Sequence, residues 1–136
     1  MNTPKLMGID HFHLYVTDKR QAARWYKEIL GFETVQSMLS WDVENGPLTI
    51  EDPSGEIHLA LFTRKNQQPS TSIAFKTSGE EFLRWANYLK SNDLKLRIAD
   101  HQIAWSIYFK DLDENMHEIT TYDYQMVSEK INESSD

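Results

Sequence analysis

His11 and His13 stand two residues apart in the stretch Ile9-Asp10-His11-Phe12-His13-Leu14-Tyr15-Val16. Alternate side chains of a strand share a face. Both imidazoles and Tyr15 therefore point one way, and Phe12, Leu14 and Val16 point the other. A histidine side chain titrates near neutrality, so His13 suits a general base or a polar wall residue of a cleft. His58 lies in Glu56-Ile57-His58-Leu59-Ala60-Leu61-Phe62, where it shares a face with Ala60 and Phe62. Glu118 contributes a carboxylate from a strand near the end of the chain. His101 and His117 fall in a turn and on the opposite strand face, and read as structural or solvent-exposed. Trp41, Trp105, Tyr108 and Tyr122 supply aromatic surface, some of it for the core and some for a ligand.

These residues are carried by a pattern written twice. From about Ile9 to Arg64 the order is strand, helix and three strands, and it recurs from about Thr71 to Asp123. In the first copy Thr17 or Asp18 caps a helix over 19–30. Its apolar stripe is Ala22, Trp25, Tyr26, Ile29 and Leu30, and Gly31 stops it. Strands are predicted over Phe32–Val43, Leu48–Glu51 and Glu56–Phe62. Asn45-Gly46-Pro47 and Asp52-Pro53-Ser54-Gly55 are the turns between them. In the second copy Ser78-Gly79-Glu80-Glu81 fits a capping box for a helix over 79–91, with Phe82, Trp85, Ala86 and Leu89 on one face. Strands follow over Leu94–Ala99, Ala104–Phe109 and Met116–Tyr122. Arg64–Ser70 is the linker, and Glu129–Asp136 reads as a frayed polar tail. The organisation is one domain over 6–124, with module one at 6–64, module two at 71–124 and a tail at 125–136. A duplicated unit folding two sheets around a shared cleft would bring His11 and Glu118 together.

Composition narrows the function classes. The chain has 136 residues, 40% of them hydrophobic, which is enough for a globular core. It has no Cys, which excludes disulfides, thiolate nucleophiles and thiolate zinc sites. A formal charge of −7 disfavours nucleic acid and anionic membrane as partners. No apolar run approaches a transmembrane length, and the N-terminus lacks a secretory core, so a cytoplasmic protein is expected.

Four segments taken together resemble the vicinal oxygen chelate superfamily, which includes glyoxalase I, extradiol dioxygenases, fosfomycin-resistance transferases and bleomycin-resistance proteins. They are the opening strand Ile9–Asp18, the helix end Trp25-Tyr26-Lys27-Glu28-Ile29-Leu30-Gly31-Phe32, the strand Ser72-Ile73-Ala74-Phe75, and the closing Tyr108–Ile119. The resemblance implies an α+β fold of two βαβββ modules whose curved mixed sheets enclose a cleft. It implies a small-molecule ligand, a divalent metal (Zn, Ni, Mn or Fe) and a homodimer, since exposed sheet edges favour pairing. The family's first metal ligand falls on His11 and its last on Glu118. The histidine that opens the second module falls on Ser72, a poor donor for a transition metal. His58 falls near a fourth family ligand position, so His11, His58 and Glu118 form a candidate set. Leu112 and Glu114 stand in the closing turn where Pro and Gly are usual. The resulting expectation is a binding protein with a degenerate or altered metal site. Catalytic candidates are Glu118 and His13, and ligand-binding candidates are Trp41, Ser72, Trp105, Tyr108 and Tyr122. A metal-dependent lyase, isomerase or thiol transferase, and an extradiol dioxygenase, are the alternatives.

Overall fold

The structure is a computed structural model that describes residue 7, residues 9–65 and residues 72–134. Most of the linker expected over Arg64–Ser70 lies outside the described residues, as do the first residues of the expected domain. The chain forms two compact units, Met1–Gln67 and Gln68–Asp136. Each carries its own four-stranded mixed sheet, and each is built strand, helix, three strands.

In the first unit β1 (Phe12–Val16) runs parallel to β4 (His58–Thr63). β3 (Leu48–Glu51) lies antiparallel to β4, and the short β2 (Glu33–Thr34) pairs with β3. Alternation sorts the two faces as the sequence predicts. Leu14, Leu59, Leu61, Leu48 and Ile50 are buried on the face opposite His13, Ala60, Phe62 and Thr49. Helix α1 (Lys19–Trp25) continues directly into a π-helical turn, Tyr26–Leu30, and together these fill the predicted span. The Asp18 carboxylate caps α1 by accepting from the backbone N–H of Arg20 at 2.9 Å and of Gln21 at 3.2 Å. The helix buries Ala22, Tyr26 and Leu30 and contacts β3 and β4. Gly31 ends it at φ +75°, a left-handed position that favours glycine.

One prediction fails here. The strand expected over Phe32–Val43 shrinks to β2, followed by a 3₁₀ helix over Gln36–Trp41. The physical reason is the tight return into the Asn45-Gly46 turn. Asn45 takes φ +68°, and a Cβ on Gly46 would collide with the Trp41 carbonyl oxygen. A chain closing on itself this way has no room for a paired strand.

In the second unit β5 (Ser72–Lys76) runs parallel to β8 (Met116–Thr121). β7 (Trp105–Lys110) and β6 (Arg97–Asp100) complete the order β5-β8-β7-β6. Helix α2 (Gly79–Ser91) is capped by Ser78 Oγ, which accepts from the Glu81 N–H at 3.2 Å. It buries Phe82, Ala86 and Leu89.

The polar tail is a second correction. Residues Tyr124–Ser134 form a helix, α3, that packs on α2. Val127 is fully buried, the Trp105 indole N–H donates to Ser128 Oγ at 2.8 Å, and the Trp105 and Tyr124 rings stack. Tyr124, Val127 and Ile131 recur at helical spacing, so a weak signal was present. Among the described residues no helix is long and apolar enough to cross a membrane.

Candidate functional site

The polar face of the first sheet holds a cavity of about 220 Å³, lined by Asp10, His11, His13, Met38, Trp41, Pro47, Thr49, His58, Ala60 and Phe62. Three of the predicted site residues, His11, His13 and His58, therefore come together, and Trp41 joins them. Sheet register explains why. His13, Ala60 and Thr49 are neighbours across β1, β4 and β3, so their side chains stand on one face.

The histidines are already engaged. Asp10 Oδ2 lies 2.8 Å from His11 Nδ1, and His11 Nε2 lies 3.0 Å from His13 Nε2. The two rings stack with centroids 4.9 Å apart, and His13 leans on the Phe62 ring at 5.0 Å. His58 Nε2 meets Glu51 Oε2 at 3.0 Å. That contact follows from the cross-strand pairing of Glu51 with His58 over the Asp52–Gly55 turn. Burial opposes ionisation of Asp52. Hydrogen bonds from the Ile57 and Glu56 N–H groups and from Ser54 outweigh it and hold the carboxyl below its usual range. Glu51 and Asp10 are site residues that side-chain type alone did not single out. Pairing β3 with β4 across that turn would have found Glu51.

Trp41 is more than half exposed and ends the 3₁₀ helix, just before a loop tied to the start of α1. Asp42 Oδ1 lies 2.7 Å from Lys19 Nζ, and Asp42 Oδ2 lies 2.7 Å from an Arg20 guanidinium nitrogen. Burial pushes the Asp42 carboxyl up, but the two cations prevail and lower it. No sequence pattern pointed to this junction.

In the second unit Glu118, Ser72 and Tyr108 share one sheet face, because Ala74 pairs with Glu118 and Glu118 with Tyr108. Ser106 Oγ donates to Glu118 Oε2 at 2.7 Å. Tyr108 carries the Arg97 guanidinium over its ring at 4.3 Å, and its hydroxyl meets His101 Nε2 at 2.9 Å. His101, expected to be structural or exposed, is exposed and holds that hydroxyl. Trp105 lies on the opposite face from Glu118, committed to Ser128 and Tyr124. Tyr122 follows β8 and is largely exposed.

His117 points into the core. It is fully buried beside Asp111, whose carboxylate accepts from the Asp113 and Asn115 N–H groups and from Asn115 Nδ2. Burial pushes the His117 imidazole down to about 4, and Asp111 only partly opposes it.

Two βαβββ units with a histidine and a carboxylate at these strand positions define a class of protein. The chain belongs to the Glyoxalase/Bleomycin resistance protein/Dioxygenase superfamily, whose model matches residues 8–119. It is 32% identical over 125 residues to metallothiol transferase FosB of Staphylococcus haemolyticus, covering 85% of this chain and 84% of FosB. Its fold is similar to integron cassette protein HFX_CASS4 from a Halifax Harbour sewage metagenome, with a TM-score of 0.74 at 20% identity over 85% of this chain and 99% of that one. It is also similar to a variant of the fosfomycin resistance protein FosX of Listeria monocytogenes, solved with Mn(II) and 1S,2S-dihydroxypropylphosphonic acid. There the TM-score is 0.70 at 17% identity over 89% of this chain and 96% of that one.

Proposed function

We infer that the chain binds a small organic molecule, with a flat apolar part and a polar group, and that its metal site is altered from the family's. The observation that carries this reading is the cavity on the first sheet. Trp41, Pro47, Met38 and Phe62 give it apolar walls, while the three histidines and Thr49 give it polar ones. Pockets of this mixed character bind small molecules through apolar contact and a few placed polar groups.

The family's metal does not fit the matched positions. Ser72 offers a hydroxyl where a histidine is usual, which leaves His11 and Glu118 as two donors of the set. His58 would have to leave Glu51 to serve as a third. Among the described residues no three His, Cys, Asp or Glu side chains gather as a metal site. Glu118, held by Ser106, is the proposed acid–base group of the second unit. A homodimer is proposed on the open sheets, whose edge strands favour pairing.

The similarity to FosB favours a second reading, a metal-dependent thiol transferase using His11, His58 and Glu118. The two separate by experiment. A panel of small aromatic acids and amides is titrated into ¹⁵N-labelled protein, with the Trp41 indole N–H assigned through Trp41→Phe. Shifts concentrated on Trp41, His11, His13 and His58 support binding in the cavity, and shifts that avoid all four sink it. Conjugation of a thiol to fosfomycin that needs added Mn(II) and is lost in His58→Ala would establish the second reading instead.

A further inference from the structure

We propose that a second cleft of the first unit, separate from the histidine cavity, binds a dianionic phosphoryl group, free or carried on a small molecule. This cleft encloses about 630 Å³ past the ends of β1 and β4. It is bounded by the start of α1, the Asp42–Gly46 loop and Thr63–Lys65. It shares no residue with the cavity and none with the matched positions His11, Ser72 and Glu118, so it does not depend on the cavity reading.

Charge is the first observation. Lys19, Arg20, Arg64 and Lys65 bring four cations to the cleft, against the two carboxylates of Asp42 and Glu44. The whole chain carries −7, so this concavity is cationic against the sign of the molecule, and a concave surface of one sign concentrates counter-ions. Asp42 is committed to Lys19 and Arg20. Among the described residues neither Arg64 nor Lys65 pairs with a carboxylate. Two cations are therefore left for an outside anion.

Orientation is the second. The Arg64 guanidinium carbon lies 3.5 Å from the centre of the Tyr15 ring, over its face. At that height an upright guanidinium would clash, so it lies flat on the ring. Its N–H bonds run in its own plane and stay available to an anion. Thr63 Oγ1 accepts from the Lys19 backbone N–H at 3.0 Å, and its own hydroxyl hydrogen has no acceptor among the described residues. The cleft thus offers a fixed arginine fork, an ammonium and a hydroxyl. A carboxylate has two oxygens, which one fork occupies. A phosphoryl dianion has three acceptor oxygens and can take all three donors. The volume exceeds a lone phosphate and falls within the roughly 300–1,000 Å³ of small-molecule pockets. A polyanion such as nucleic acid would meet the acidic surface around the cleft.

The test titrates inorganic phosphate and, separately, phenyl phosphate into ¹⁵N-labelled full-length protein. Ionic strength is held constant with NaCl, at a pH well above the second phosphate pKa of about 6. Saturable shifts confined to the amides of residues 42–46 and 63–65 are expected. Arg64→Gln should weaken binding about tenfold, and Lys65→Gln should weaken it as well. Arg64→Lys keeps the charge without the fork and should fall between wild type and Arg64→Gln. Lys110→Gln, at an exposed cation of the other unit, should change nothing. Arg64→Lys and Lys65→Gln carry the test if Arg64→Gln does not fold. Tighter binding of phenyl phosphate would assign the cleft to a phosphorylated small molecule, and equal binding to phosphate itself; both support a phosphoryl site. Shifts that do not saturate, or that NaCl alone reproduces, would reduce the cleft to general surface charge and overturn the proposal. Lys110→Gln weakening binding as much as Arg64→Gln would overturn it too.

Discussion

Lys19 Nζ lies 2.7 Å from Asp42 Oδ1 and also donates to the Val43 and Gly46 carbonyls at 2.9 Å each. One ammonium at the start of α1 thus holds the whole loop that follows Trp41. Trp41 and Pro47, at the two ends of that loop, both line the cavity. The junction therefore couples helix placement to the shape of the pocket wall.

Asp42→Ala should cost about 1–2 kcal/mol. The Asp42 side chain is only 6% exposed, but Arg20 is largely solvated, so screening keeps the loss below that of a deeply buried pair. Urea denaturation measures the cost, and the Trp41 indole N–H resonance should move in the same variant. An unmoved resonance would show that the junction stabilises the fold without shaping the pocket.

Glu114→Gly should stabilise the protein by roughly 1 kcal/mol. Glu114 sits at φ +66° in the closing turn, a conformation that strains a side-chain-bearing residue and suits glycine. The side chain is exposed, so little contact is lost. A lowered denaturation midpoint would mean that glycine's freedom in the unfolded chain outweighs the relieved strain.

Gly79→Ala should destabilise by about 1–3 kcal/mol through overpacking. A Cβ at position 79 would lie 2.8 Å from Asp123 Cβ and 3.1 Å from Val127 Cγ2. The same close approach lets the Gly79 N–H donate to Asp123 Oδ2 at 2.6 Å. Thermal unfolding of Gly79→Ala beside Val127→Ala shows whether α3 docking carries the loss. If both variants melt like wild type, α3 contributes nothing to stability.

How far the sequence exposed this molecule depends on the range of the interactions. Strand alternation is local, so the burial of Leu14, Leu59 and Leu61 and the shared face of His13 and His58 followed from pattern alone. The helix caps at Asp18 and Ser78 were legible for the same reason. The 3₁₀ segment over Gln36–Trp41 was not, because its cause is a contact of the Gly46 backbone with Trp41. The α3 helix was hidden because, among the described residues, Val127 is the only one it fully buries, and its seat depends on the missing side chain at Gly79. Among site residues, the histidines announced themselves by type, whereas Glu51, Asp10 and Ser106 act by holding other side chains and emerge only from register and distance.

The pH dependence of stability should carry the signature of His117. Its imidazole is fully buried and titrates at about 4, against 6.5 for an ordinary histidine. Between those values the unfolded chain binds a proton that the folded chain refuses, so stability rises with pH there. The contribution is therefore complete above about pH 6.5 and lost as pH falls towards 4, by ~3 kcal/mol at most. Asp111, close to the ring, partly favours the charged form, and the value of about 4 already carries that effect. His117→Leu removes the proton acceptor and keeps an apolar side chain among Phe75 and Phe109. Urea unfolding measured from pH 4 to 8 should show a sloping acid limb in wild type and a flatter one in the variant, whatever its absolute stability. Parallel curves would place the acid sensitivity elsewhere, with the Asp42 and Asp52 carboxylates the first groups to test, since both ionise below the usual range.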